Sequence, residues 1–344
     1  MCVIAEICDY ILYVDLVKKS LYSMTFVAVL LVSPALAAAE PSSVDEESGV
    51  SLSLTTDFAW YPKYDFKPGD DHFSGVSGPF DGIKGIARLD ASYALPTPLG
   101  SHWLVNGANV EFTGGFEICP VSVRTIASIG FTPVPFLVFE TGASVGTGWT
   151  LLGLEGMSNY DFEKGEYKDI TPFAHYYRDF WVSGTFQFDT GALIEGDWSH
   201  VVMMVTYELL FAGLTGIDDG DVWQWQTTKN KANGWQYDLV AVLGYKMPLV
   251  LSMVGVMADF YGHFDSSDYG KIGKRFDGDF MTVDLSLLLT FDLNKTNSLT
   301  MMIEFERNRS FETEHEEYEE EPLLKASGAE WAFYMVALRW IHNF

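Results

Sequence analysis

Two sets of residues have the types and spacing for chemistry. The first is acidic. Ser310 to Leu323 contains Glu312, Glu314, Glu316, Glu317, Glu319, Glu320 and Glu321, and Asp218, Asp219 and Asp221 form a second cluster. Carboxylate oxygens are the ligands that hard divalent cations take, although runs of like charge are more often solvated loops. The second set recurs at alternate positions along the chain: Asp57, Arg88, Asp90, Glu111, Arg124, Glu140, Asp179, Glu208, Asp238, Lys246, Asp259, Asp284, Glu304 and Arg339. Charges gathered on one wall set ion selectivity, and the surplus of carboxylates here favours cations or basic solutes. There is no P-loop, no dinucleotide fingerprint and no metal-ligand triad, so no cofactor is expected.

The elements that must carry these charges are strands. From Glu40 onward the hydrophobic pattern has period two, not 3.6. Val50, Leu52, Leu54, Phe58 and Trp60 alternate with Ser51, Ser53, Thr55 and Asp57. Met281, Val283, Leu285, Leu287, Leu289 and Phe291 alternate with Thr282, Asp284, Ser286, Thr290 and Asp292. Strands are expected near 50–60, 85–96, 102–116, 120–132, 135–147, 176–190, 199–212, 234–247, 249–262, 279–292, 298–309 and the C-terminal stretch. The intervening links are mostly long and polar on one side (61–84, 148–175, 213–233, 263–278, 310–328) and mostly tight on the other. Long loops at one end, short turns at the other and an even count describe a transmembrane antiparallel up-and-down β-barrel of about twelve strands, with 10–14 allowed.

Composition agrees with a segregated molecule. The 344 residues carry a formal charge of -26, which argues against nucleic-acid partners because their binding rests on Lys and Arg. Aromatics reach 15 %, although such acidity normally accompanies poor hydrophobicity and disorder. Lys18 and Lys19 precede an apolar run from Met24 that ends in Ala37, Ala38 and Ala39, the form of a cleaved secretory signal. Residues 1–39 are therefore expected to be a mis-assigned start plus signal peptide, and 40–344 one barrel domain. Cys119 is the lone cysteine after that cleavage site, which rules out a disulfide framework within one chain.

Alternation alone does not distinguish a barrel from a soluble sandwich. Three features do. Aromatics gather at the ends of the apolar faces, among them Trp60, Tyr93, Phe131, Tyr207, Trp235, Tyr245, Phe291 and Trp340, as membrane-interface girdles require. Glycines and small polar residues dominate the opposite face. The strands are also long enough to cross a bilayer while tilted. This parity puts the apolar faces toward lipid and the fourteen charges above toward the lumen, since charge on a lipid face is costly.

The C-terminal strand sets Tyr334, Val336, Leu338, Trp340 and Phe344 on one face, with His342 between the last two. This pattern resembles that of Gram-negative-type outer-membrane β-barrel proteins, whose last strand commonly ends in an aromatic residue. The resemblance covers the mature chain at the level of architecture and names no single porin, receptor or enzyme; His342 departs from it. It implies a place in the outer membrane among lipid and lipopolysaccharide-like lipids, with the barrel-assembly machinery reading the C-terminal signal. The expected function is a diffusion channel for small hydrophilic solutes, preferring cations. Its alternative is a non-conducting surface barrel, plugged by charges pairing across the lumen, with acidic loops for adhesion or divalent cations. An outer-membrane hydrolase comes third. The twelve-stranded phospholipase family uses an H-x-S pair on a strand, and the match here, His72-Phe73-Ser74, falls in an expected loop. An omptin-like protease would pair Asp and His near the rim, for which Asp218, Asp219, His263 and His315 are the available groups.

Overall fold

The computed structural model describes residues 49–151, 154–226, 228–315 and 318–344. The expected signal peptide, the start-site reading, Glu316 and Glu317 lie outside the described residues. Twelve long strands form the barrel: β1 Gly49–Tyr64, β2 Val76–Pro96, β3 Asn109–Cys119, β4 Ser122–Val134, β5 Leu137–Gly148, β6 Tyr177–Asp189, β7 Val201–Leu214, β8 Gly234–Lys246, β9 Leu251–His263, β10 Thr282–Asn294, β11 Asn297–Phe311 and β12 Ala326–Asn343. Each pairs antiparallel with the next, and β12 returns to β1 in a register that sets Arg339 opposite Asp57. Closure leaves no open edge through the zone where all twelve strands overlap, so the backbone groups there are paired on both sides, which is the condition for crossing hydrocarbon. Among the described residues no helix is long and apolar enough to cross a membrane.

The outer face is an apolar band. Phe180, Val205, Leu209, Val256, Leu285 and Leu287 are all substantially exposed, and Tyr93, Tyr207, Trp235 and Tyr245 join them. In water such a face would drive aggregation; against lipid it is solvated. Links at one end are mostly tight, with 97–108 and 190–200 longer; at one of the tight ones the Asn294 side-chain oxygen accepts hydrogen bonds from the Thr296 amide (3.0 Å) and the Asn297 amide side chain (2.9 Å). That local ring is why Asn fixes a two-residue hairpin here. At the other end the links are long, apart from the turn after Cys119, whose thiol lies 2.9 Å from the Ser122 hydroxyl.

Two strand boundaries differ from expectation. The link expected at 61–84 is largely strand, because β1 and β2 stay paired out to Lys63 opposite Gly78. The glycines and polar residues of 76–85 hide the alternation there. Conversely β3 starts at Asn109 and not 102, because 102–108 turns on itself, the Val105 amide donating to His102 O (2.9 Å). His72–Ser74, expected in a loop, is a short strand parallel to residues 330–332.

Candidate functional site: the lumen and its loop roof

The inner face separates into a paired wall and an acidic one. On the paired wall each arginine has its acid. Arg339 grips Asp57 with two hydrogen bonds (2.6 and 3.1 Å), Arg88 donates to Asp90 (2.8 Å), and Arg124 bridges Glu117 (2.9 Å) and Asp179 (3.3 Å). Arg124 and both its carboxylates are almost fully buried, and the Tyr177 hydroxyl also donates to Asp179 (3.0 Å). Lys246, at the short-turn end, stands 3.9 Å from Asp189, which is itself bonded to His200.

The acidic wall is β7 to β11, whose inward positions carry Lys246 as their single lysine or arginine. Register aligns its carboxylates. Glu306, Asp284 and Asp259 face one another across β11, β10 and β9. One step along, Asp238 faces Glu208, which faces Ser183; Ser183 faces Glu140, then Gly130, then Glu111. Neighbouring strands lie about 4.8 Å apart. The two rows therefore form a stair of carboxylates from beneath the long-loop end to Glu111, which is exposed at the short-turn end. Glu304 accepts from the Ser286 hydroxyl (2.7 Å) and Glu140 from the Trp181 indole (3.1 Å). Glu208 is 3 % exposed, and neither of its oxygens has a hydrogen-bond partner among the described residues.

Small polar residues were expected to dominate this inner face. Instead, below the acids, Val202, Met204, Val242, Met253, Met257 and Leu288 form a buried apolar cluster. In a lumen this narrow, inward aliphatics meet one another, so inward-facing does not mean wetted. On β12 a bulge between Phe333 and Met335 shifts the parity, and Tyr334 packs with Tyr61 and Met335 on the inner cluster, its ring 5.3 Å from that of Tyr61. Leu338 stays on the outer face, the Trp340 indole donates to Asn297 (3.1 Å), and Phe344 is largely exposed. Val336 pairs with Trp60 and Ile303 in the ladder.

The long loops make a roof. Segments 157–161, 166–169, 223–225 and 228–231 form a four-stranded sheet from two loops. Tyr160, Val222, Tyr269, Phe276 and Phe311 come together in one cluster that joins four loop regions across the mouth. Asn230 is the tie between them. Its amide side chain donates to Tyr318 O (3.3 Å) and to Glu321, its backbone amide donates to the Tyr167 hydroxyl (2.7 Å), which donates back to its side-chain oxygen (2.8 Å), and the Tyr269 hydroxyl donates to its carbonyl (3.0 Å). It sits at φ 60, a left-handed conformation that Asn tolerates better than most residues. Asn230→Ala removes three of these bonds, at about 1 kcal/mol each. We expect trypsin to cut at Lys229 and Lys231 much faster in that variant while the barrel stays folded; unchanged cleavage would refute the tie.

Expected solvated, the acidic run is in part stitched into this roof. Glu319 accepts from Lys229 (2.6 Å), Glu321 meets His315 (3.3 Å), and Glu312 pairs with Lys325. Burial, with the nearby charges of Glu319 and Glu320, pushes the Tyr160 hydroxyl up to about 12. Burial works against a charged His315, but the hydrogen bond and charge of Glu321 outweigh it and hold its pKa above the usual value. Asp218 and Asp219 are exposed, and among the described residues no three His, Cys, Asp or Glu side chains converge as metal ligands. His263 is bonded to Asp268 (2.8 Å). His72 is bonded to Glu330 (2.9 Å) and to Asp70 O (2.7 Å), while Ser74 is fully buried, so that pair offers neither a free base nor an accessible nucleophile.

From this roof one segment reaches inward. Trp223 and Trp225 are fully buried, and Trp225 stacks on Tyr177 of the inner wall (4.7 Å between centroids, 13° between planes). Gln226 donates to Glu117 (3.1 Å) and to Ser122 (2.8 Å). Glycines in the wall make the room: a Cβ on Gly146 would lie 2.8 Å from the Trp225 ring, and one on Gly142 would lie 2.2 Å from the Trp181 ring. Sequence reasoning placed all of 213–233 in a polar loop and missed Trp223, Trp225, Gln226 and Glu117. The available signal was Val222-Trp-Gln-Trp-Gln226, a strand-like alternation inside a loop.

No protein-family model matches the chain, and no curated protein matches it. Among solved structures it is similar to the β-domain of the Bordetella autotransporter BrkA, at 9 % identity over 86 % of this chain and 100 % of that one, with a TM-score of 0.43. It is also similar to the translocator domain of the autotransporter NalP from Neisseria meningitidis, at 9 % identity over 95 % and 96 % of the two chains, with a TM-score of 0.39. A third is an outer membrane channel from Pseudomonas putida F1, at 8 % identity over 89 % and 100 %, with a TM-score of 0.40.

Proposed function

We propose that this barrel resides in the outer membrane and acts as a channel for small hydrophilic solutes that prefers cations. The observation that supports this reading is the stair of carboxylates from Glu306 to Glu111. Carboxylates gathered in a low-dielectric interior are costly to keep ionised. A passing cation offsets that cost, whereas the arginines of the other wall are already matched to their own acids. In planar bilayers the folded protein is expected to pass current with a reversal potential of cation-selective sign under a KCl gradient. Glu208→Gln combined with Asp284→Asn should move that potential toward zero; an anion-selective current, or one indifferent to both substitutions, overturns the assignment.

A second reading, a non-conducting surface barrel, has one observation in its favour: the roof spans the mouth and the stair beneath it is buried, Asp259 and Asp284 each being 1 % exposed. Absence of ion current from folded protein, with the roof intact and with it loosened, would decide for that reading.

A further inference from the structure

We propose that the loop between β7 and β8 is a displaceable plug, so that the barrel has a closed state, the one described here, and an open one; this rests on the channel reading above. Its position is the first argument. Trp223 and Trp225 share a buried cluster with Trp181, Leu210, Ala212 and Leu214. Leu210 is the next inward residue after Glu208 on β7, so the indoles sit one step above the acidic stair, between it and the long-loop mouth.

The seat is the second argument. Gly146 leaves the space that the Trp225 ring fills, and Tyr177 gives it a flat surface to stack on. The anchoring is local and polar at the tip, through Gln226 to Glu117 and Ser122, and the wall beneath is held by its own Arg124 bridge. Leaving the seat gives up these hydrogen bonds, two buried indoles and the pairing of 223–225 with 157–159 of the roof sheet, but it breaks the ladder of no barrel strand.

The backbone of the plug is the third. Gln226, not a glycine, is held at φ 49. Such conformations persist only where surrounding contacts over-determine them, and they cluster in switch segments. Release of the tip lets Gln226 return to ordinary backbone. A segment strained when seated and relaxed when free is an element with two discrete arrangements, which is what gating requires.

The test compares three forms of the full barrel in planar bilayers, each first shown to be folded by heat-modifiable migration. They are the natural sequence, Trp225→Ala, and a form in which 218–231 is replaced by a short Gly-Ser linker. Emptying the mouth is expected to raise single-channel conductance about ten-fold or more, with cation preference retained. Equal conductance in the natural and linker forms overturns the plug while leaving the channel reading intact. No conductance in any form overturns both. A rise with the linker but none with Trp225→Ala also counts against the proposal as stated, because it moves the closure from the seated indole to the roof.

Discussion

Replacing Arg124 by Met is expected to destabilise the folded barrel by about 3–5 kcal/mol, the cost of removing one partner from a buried charge cluster. Arg124 bonds Glu117 and Asp179, whose side chains are each 1 % exposed, and β3, β4 and β6 contribute the three residues. With the guanidinium gone, two carboxylates remain in a space that water does not reach. The effect should extend to the roof, because Glu117 also accepts from Gln226 of the plug. The measurement is the urea midpoint of the heat-modifiable, folded form in detergent. If loss of charge balance is the cause, adding Glu117→Gln and Asp179→Asn to Arg124→Met should recover most of the loss, since an apolar or neutral replacement of a whole buried cluster is often nearly neutral. An unchanged midpoint in the single variant, or a triple variant no better than the single one, would show that the cluster does not carry this energy.

How much of this was legible in the sequence depended on whether the signal was local. The period-two alternation is a property of neighbouring residues on one strand, so the strands and the long-short rhythm of their links could be read directly. Where the local signal was diluted, as in the glycine-rich 76–85, the boundary slipped by several residues. The bulge at Tyr334 shows a different limit. One inserted residue reverses the parity of everything on one side of it, and nothing in Phe333-Tyr334-Met335 announces it; the shift shows only in the pairing with β11. The charged positions were legible as one face of each strand, but their grouping was not. That Asp259 faces Asp284, or that Arg124 reaches Asp179 across 55 residues, depends on register around a closed sheet. The plug was least legible, because the residues that hold it are Gly146 in β5 and Tyr177 in β6, far in sequence from the tryptophan they receive.

Arg substituted for Leu287 is expected to cost about 2–4 kcal/mol of barrel stability in a bilayer, whereas Arg for Leu293 on the same strand should cost only about 0–1 kcal/mol. Both side chains point outward from β10: Leu287 is 39 % exposed at mid-strand, and Leu293 is 52 % exposed next to the Asn294 turn. In water the two substitutions would be nearly equivalent, and both nearly harmless, since each site is open. Only a slab of hydrocarbon around the middle of the barrel makes depth matter, because an arginine at the centre loses its hydration while one near the rim extends its head into the interface. The comparison therefore tests the membrane placement without relying on conduction or on any lumen residue. Reversible unfolding from phospholipid vesicles, read by tryptophan fluorescence, supplies both values. Equal costs at the two positions would mean that the apolar band faces something other than a bilayer, and the inside-outside assignment of every strand would fall with it.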